Sequence, residues 1–182
     1  MTIFHRQKMR AASGGFTLLE MLIYLLITGL ALTAAVTFSY HFAAAKARSF
    51  ARQETEHNAQ LAAARIAIEV REAVGYNEAD SVLGGNPGRL SLAVANPAND
   101  PTVFFVANGV LYIQRGAGPE LPLTSSHVSV NDFTVDRLSS SDKHRVFRIR
   151  VQAVFNSDNP WYAADTVLET TAQIKRGDGY SD

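Results

Sequence analysis

Polar and apolar residues are distributed very unevenly along this chain. Residues 21–45 contain no Asp, Glu, Lys or Arg, and at about 1.5 Å per residue a helix over that run spans roughly 38 Å, more than the roughly 30 Å of a bilayer hydrocarbon core. Between Phe16 and Val74 there is no proline, and Gly29 is the only glycine, so the pattern predicts one unbroken helix of 59 residues. From Lys46 onward the composition becomes amphipathic. Phe50, Leu61, Ala62, Ile66, Val70 and Ala73 recur near helical spacing and predict a core-facing stripe, while Arg52/Glu56 and Arg65/Glu69 are placed for i,i+4 pairs. Gly75 is the expected C-cap, because glycine accepts the left-handed conformation that ends helices.

Residues 75–88, with Gly84-Gly85-Asn86-Pro87-Gly88, read as a connecting loop. Short β-branched or aromatic segments follow at 90–94, 102–106, 110–114, 133–138, 145–155 and 166–175, each bounded by turn residues. Asn108-Gly109 between Val103–Ala107 and Val110–Ile113 predicts a tight hairpin, since both residues tolerate positive φ. In 145–155 the residues Phe147, Ile149, Val151, Ala153 and Phe155 alternate with Arg148, Arg150, Gln152 and Val154, so the Phe face should point inward. The fold class is therefore α+β, a long helix packed on an antiparallel sheet head. Four segments are expected: 1–15, an N-terminal leader; 16–45, a membrane-length helix; 46–74, its amphipathic continuation on the head; and 75–182, the sheet head. Residues 177–182 read as a loose tail.

The leader holds Arg6, Lys8 and Arg10 and no acid, a bias that keeps an N-terminus on the cytoplasmic side and sends the C-terminal bulk across. A secretory signal carries its small-residue cleavage site after the apolar core, whereas Gly14-Gly15 lies before it. Glu20 stands alone at the edge of the apolar run, where an ionised side chain is penalised and needs a partner. Gly15, Phe16-Thr17-Leu18 and Glu20, the fifth residue after Gly15, follow this basic leader. In these features the chain resembles the type IV pilin and type II secretion pseudopilin family. The resemblance covers only the first thirty or so residues.

The resemblance implies that a membrane-embedded prepilin peptidase cuts between Gly15 and Phe16 and N-methylates Phe16, and that Glu20 then meets the Phe16 amine of a neighbouring subunit. Physical chemistry favours such a pair: a free α-amine titrates near about pH 8, and a carboxylate held among apolar helices strongly favours a nearby cation. Implied partners are other pilins or pseudopilins, an inner-membrane assembly platform with its motor ATPase, and membrane lipid. The implied location is a single-pass cytoplasmic membrane protein with its head outside, and then a pilus or pseudopilus. Major pilins usually carry a proline at the twenty-second position after the cut, where this chain has Thr37, and many carry a C-terminal disulfide loop, which a chain without cysteine cannot form. Both departures favour a minor subunit. Gly29 matches a glycine often seen in the family.

Composition narrows the remaining choices. A mature chain of 167 residues holds one head domain beside the helix. The intact chain has 17 basic and 17 acidic residues, and removing the leader leaves 14 against 17, a net charge of minus three, so no general basic character remains. His5, His41, His57, His127 and His144 are scattered without metal-ligand spacing, and no cofactor is expected. Ser125, Ser126, His127 and Asp132 are the right residue types for a hydrolase, but they lack a Gly-x-Ser-x-Gly elbow and read better as a polar loop. The chain is therefore expected not to be an enzyme. Arg145, Arg148 and Arg150 could form a small basic patch for phosphate, although no row of stacking aromatics accompanies them, so nucleic acid is the less favoured partner. Asp178 and Asp182 could contribute to a calcium loop, but a free acidic tail is the simpler reading. Two other functions stay open: an anchored binding module for DNA or a secreted ligand that does not polymerise, and an anchored enzyme, which would need a concave polar pocket in the head.

Overall fold

A computed structural model describes residues 15–139 and 145–174. Leader residues 1–14, His144, Lys175 and the tail with Asp178 and Asp182 lie outside the described residues. One helix, α1 (Leu18–Glu72), is followed by eight strands: β1 (Gly75–Tyr76), β2 (Arg89–Ala93), β3 (Thr102–Ala107), β4 (Val110–Arg115), β5 (Leu121–Pro122), β6 (Val128–Arg137), β7 (Arg145–Phe155) and β8 (Asp165–Ile174). This is an α+β, pilin-like architecture. The chain divides into two compact units, one ending at Ala43 and the other beginning at Ala44.

In the second unit all strand pairs are antiparallel and form two sheets, one ordered β1-β2-β3-β4-β5 and the other β6-β7-β8. Backbone bonds join them along the outer edge of β6: Gly84 N–H donates to Val135 O at 2.9 Å, Gly88 N–H to Phe133 O at 2.6 Å, and Val130 N–H to Gly109 O at 2.7 Å. Gly88 is required here because a Cβ would stand 2.8 Å from Phe133 O. The β3–β4 hairpin turns at Asn108 and Gly109, whose φ values of 50° and 75° are the paired positive angles that Asn-Gly supplies most readily. The inward face of β7 is buried as its alternation predicts, with Phe147, Ile149, Val151 and Ala153 closed off from solvent. Phe147 joins Phe104 and Phe133 in a core that also holds Leu90, Leu92 and Leu111.

The helix meets this core through an alanine stripe, and here the structure corrects the sequence. Ala44, Ala47, Ala51, Ala59, Ala62, Ala63, Ile66, Ala67 and Val70 are buried, whereas Phe50 and Leu61, expected inside, are 50% and 54% exposed. Consecutive helical residues sit about 100° apart, and in the pairs Phe50/Ala51 and Leu61/Ala62 that step turns the larger neighbour out of the buried face. The small side chains take that face in both pairs. Both expected i,i+4 pairs are present, Arg52–Glu56 at 2.7 Å and Arg65–Glu69 at 2.9 Å. Hydrogen bonding from Glu56, followed by its charge, raises the pKa of the Arg52 guanidinium. Glu69 is nearly buried and also binds Arg115 of β4 at 2.6 Å, tying helix to sheet.

Three further expectations change. Gly75 is not a left-handed cap: Ala73 N–H closes the last helical bond to Glu69 O, and Val74 N–H bonds Ala93 O, so the chain passes straight into β1. The 75–88 segment is more than a loop, since it contains β1, a 3₁₀ turn at Glu78–Asp80 and a Val82–Arg89 bridge. The sheet edge beside it satisfies backbone groups that a free loop would leave to water. The strand expected at 133–138 begins five residues earlier, because Val128 and Val130 are buried and pair with Phe155 and Ala153 before a bulge ahead of Asp132.

Replacing Glu69 with alanine (Glu69→Ala) removes the carboxylate that holds Arg65 and Arg115 and should lower stability by about 1–3 kcal/mol. Denaturant unfolding of the full chain in detergent measures this, and an exposed control such as Glu72→Ala should change little.

Candidate assembly site at the start of the helix

Phe16 and Thr17 precede α1. Thr17 caps it: its Oγ1 accepts the Glu20 backbone N–H at 3.2 Å, and its carbonyl accepts Met21 N–H at 3.1 Å. Thr17-Leu18-Leu19-Glu20 has the Ser/Thr-x-x-Glu form of a capping box, a signal of the helix start that the sequence itself carries. This cap places Glu20 in the first helical turn, where the partial positive charge of the helix N-terminus favours a carboxylate.

One Glu20 oxygen accepts a long bond, 3.4 Å, from the hydroxyl of Tyr24 one turn further on. The Tyr24 ring meets Phe16 edge-on, with centroids 6.3 Å apart and planes at 73°. Phe16, Glu20 and Tyr24 thus form a group at the helix start, and Glu20 has no ion pair among the described residues. With residues 1–15 attached, Phe16 N is a peptide nitrogen; a cationic amine exists there only after cleavage before Phe16.

Beyond Glu20 the helix surface is apolar and open. Leu22, Ile23, Leu25, Leu26, Leu30 and Phe38 are all at least half exposed. Three of its hydroxyls bond back to the helix: Thr33 donates to Gly29 O at 2.8 Å, Thr37 to Thr33 O at 2.9 Å and Ser39 to Ala35 O at 2.9 Å. Such back-bonding lets polar side chains sit in an apolar medium. By length and composition α1 is able to cross a membrane, and it fits a single-pass anchor.

The other candidates are not brought together. Ser125 faces the helix, its N–H donating to Asn58 Oδ1 at 2.8 Å and its hydroxyl to Glu54 Oε1 at 3.1 Å. His127 stacks on Phe155, and Asp132 accepts from the Thr134 hydroxyl at 2.7 Å. The arginines also part company: Arg145 lies over the Tyr76 ring at 5.4 Å, while Arg150, on the outward face with Arg148, binds Glu169 at 2.7 Å. Strand parity separates Arg145 from the other two, so the three arginines do not share one patch. Among the described residues no group of three or more His, Asp or Glu is placed to hold a metal.

Residues 10–36 match the family model described as the prokaryotic N-terminal methylation motif. The chain carries that motif. The match encloses Gly15, Phe16, Glu20, Tyr24 and Gly29 and is consistent with the type IV pilin and pseudopilin family. No curated protein and no solved structure matches the chain. The motif implies processing by a prepilin peptidase and assembly with other pilins.

A valine at position 17 (Thr17→Val) keeps the size of the side chain and deletes the capping oxygen, a loss worth about 1 kcal/mol. Amide hydrogen exchange at Glu20 and Met21 should accelerate about fivefold, whereas Tyr24→Phe should leave those amides unchanged.

Proposed function

We propose that this chain is a minor pilin-like, or pseudopilin, structural subunit. A prepilin peptidase cuts it between Gly15 and Phe16 and methylates the new Phe16 amine, and the mature chain is then built into a type IV pilus or a type II secretion pseudopilus. Its work is mechanical, not catalytic. Before assembly it spans the cytoplasmic membrane once, with its N-terminus cytoplasmic and its head outside, and a motor ATPase beneath an assembly platform drives its extraction. Thr37 in place of the usual proline and the absence of cysteine support the minor role.

One observation carries this reading: the Glu20 carboxylate heads a 25-residue run without Asp, Glu, Lys or Arg and meets no cation among the described residues. In a bundle of such helices the unmatched carboxylate and the unmatched amine of the next subunit are each penalised alone and favoured together. The pairing fixes longitudinal stagger because only one register joins the two groups.

Co-expression with a prepilin peptidase should yield a product whose intact mass lacks residues 1–15 and carries one added methyl group. Gly15→Val should remain full-length; equal processing of the two would remove the cleavage argument. Glu20→Ala should still be cut, yet be depleted about tenfold or more from filaments formed beside normal subunits, as expected when one partner of a buried charge pair is lost. Immunoblotting of sheared filaments against whole membranes reads the difference, and it separates a polymerising subunit from an anchored receptor that never enters a fibre.

A further inference from the structure

In the second unit, aromatic side chains from three separated chain segments gather around Phe155. Its ring meets Phe50 edge-on at 6.0 Å, Tyr162 in a stacked arrangement at 5.7 Å, and His127 stacked at 6.4 Å. Phe155 is nearly buried by these neighbours, but Phe50 is half exposed and Trp161 and Tyr162 are partly exposed. Trp161 and Tyr162 occupy the 3₁₀ turn Pro160–Tyr162, held by Asn159 Oδ1, which accepts Trp161 N–H at 3.0 Å, and by Phe155 N–H bonding Ala164 O at 2.9 Å.

The cluster stands beside a change in helix chemistry. Phe50 follows the last residue of the uncharged run by five positions, a rise of about 7.5 Å along α1. Lys46 and Arg48 lie in that interval, exposed and without an ion pair among the described residues. On α1 the nearest acids are occupied: Glu56 pairs with Arg52, and Glu54 accepts from Asn58 and Ser125; Asp158 and Asp165, which flank the 3₁₀ turn, are exposed. Cations next to Tyr and Trp, whose rings have an apolar body and a polar tip, are the composition that bilayer headgroup layers select.

We propose that this end of the head is a lipid-seating surface. Lys46 and Arg48 contact the phosphates of an anionic phospholipid bilayer, while Phe50, Trp161 and Tyr162 rest among its headgroups. The occupant is lipid because the patch continues directly from the uncharged stretch of α1, so the inference rests on that stretch spanning the membrane. Before assembly this contact would fix how the head stands on the bilayer. Extraction into a filament must break it.

Trp161 is the chain's only tryptophan and serves as the probe. The full chain is reconstituted in phosphatidylcholine–phosphatidylglycerol vesicles, and its fluorescence is quenched by a nitroxide on the headgroup or one deep in the acyl chain. Headgroup nitroxide should quench strongly and the deep one weakly. The Lys46→Gln/Arg48→Gln variant, altered only at exposed positions, should lose the seated population by about fivefold per cation removed. Phe50→Ser should weaken seating in the same direction. If the protein floats with the vesicles but Trp161 ignores the headgroup nitroxide and stays open to aqueous iodide, the seating surface is overturned and the membrane span survives. Failure to float overturns both. Shielding of Trp161 that vanishes on dilution with lipid assigns the patch to contacts between copies and likewise overturns the proposal.

Discussion

A single carboxylate at the head of an apolar helix constrains how this protein can be used. Glu20 is set in the first turn by the Thr17 cap and held loosely by Tyr24, and neither contact supplies a counter-charge. Placed in lipid near the headgroups, such a group is tolerable; drawn into a bundle of helices, it requires a cation. The grouping of Phe16 with Glu20 at one helix start means that cleavage would create the cation on the same surface that carries the anion. Within one chain, Thr17 Oγ1 and the helix N-terminus already serve the Glu20 region, which leaves the carboxylate available to a second molecule.

The continuity of α1 makes the arrangement useful. No proline interrupts Leu18–Glu72, so one element passes from a surface of exposed large apolar side chains to one that buries alanines against a sheet. Ala59, Ala62, Ile66 and Val70 pack into the hydrophobic core of the head, and Ala51 and Ala63 are buried on the same helix. The Glu69–Arg115 contact ties the helix to β4, and the Asn58–Ser125 bond ties it to the β5–β6 connection. A pull on α1 would therefore be transmitted to the head through packing and polar contacts over several turns.

Much of this was legible from the residues, and the reasons differ by element. The leader charges, the Gly15–Phe16 junction and the position of Glu20 are local features, readable without knowledge of the fold. The Asn108-Gly109 turn and the alternation of β7 are equally local, being properties of consecutive residues. Phe50 and Leu61 carry more hydrophobic weight than alanine and so dominate the sequence pattern of α1, yet its buried face is filled mainly by alanines. Gly75 was misassigned because pairing with Ala93, eighteen residues away, outweighs its preference for a cap. The Glu69–Arg115 bond joins residues 46 apart, and no periodicity announces it. The early start of β6 was hidden by Ser129 and Asn131, which suggest a loop until Val128 and Val130 are seen to face the core.

The pairing of Glu20 with a neighbour's amine is tested most directly by a distance measured between molecules. In filaments assembled from one subunit labelled with ¹⁵N at its methylated terminal amine and a second labelled with ¹³C at the Glu20 carboxylate, solid-state NMR dipolar recoupling reports their separation. The account predicts an intermolecular contact within about 4 Å, the range of a direct ion pair. A Glu20 carboxylate with no labelled amine in range, in a filament that nonetheless contains this chain with both neighbours in place, would contradict it.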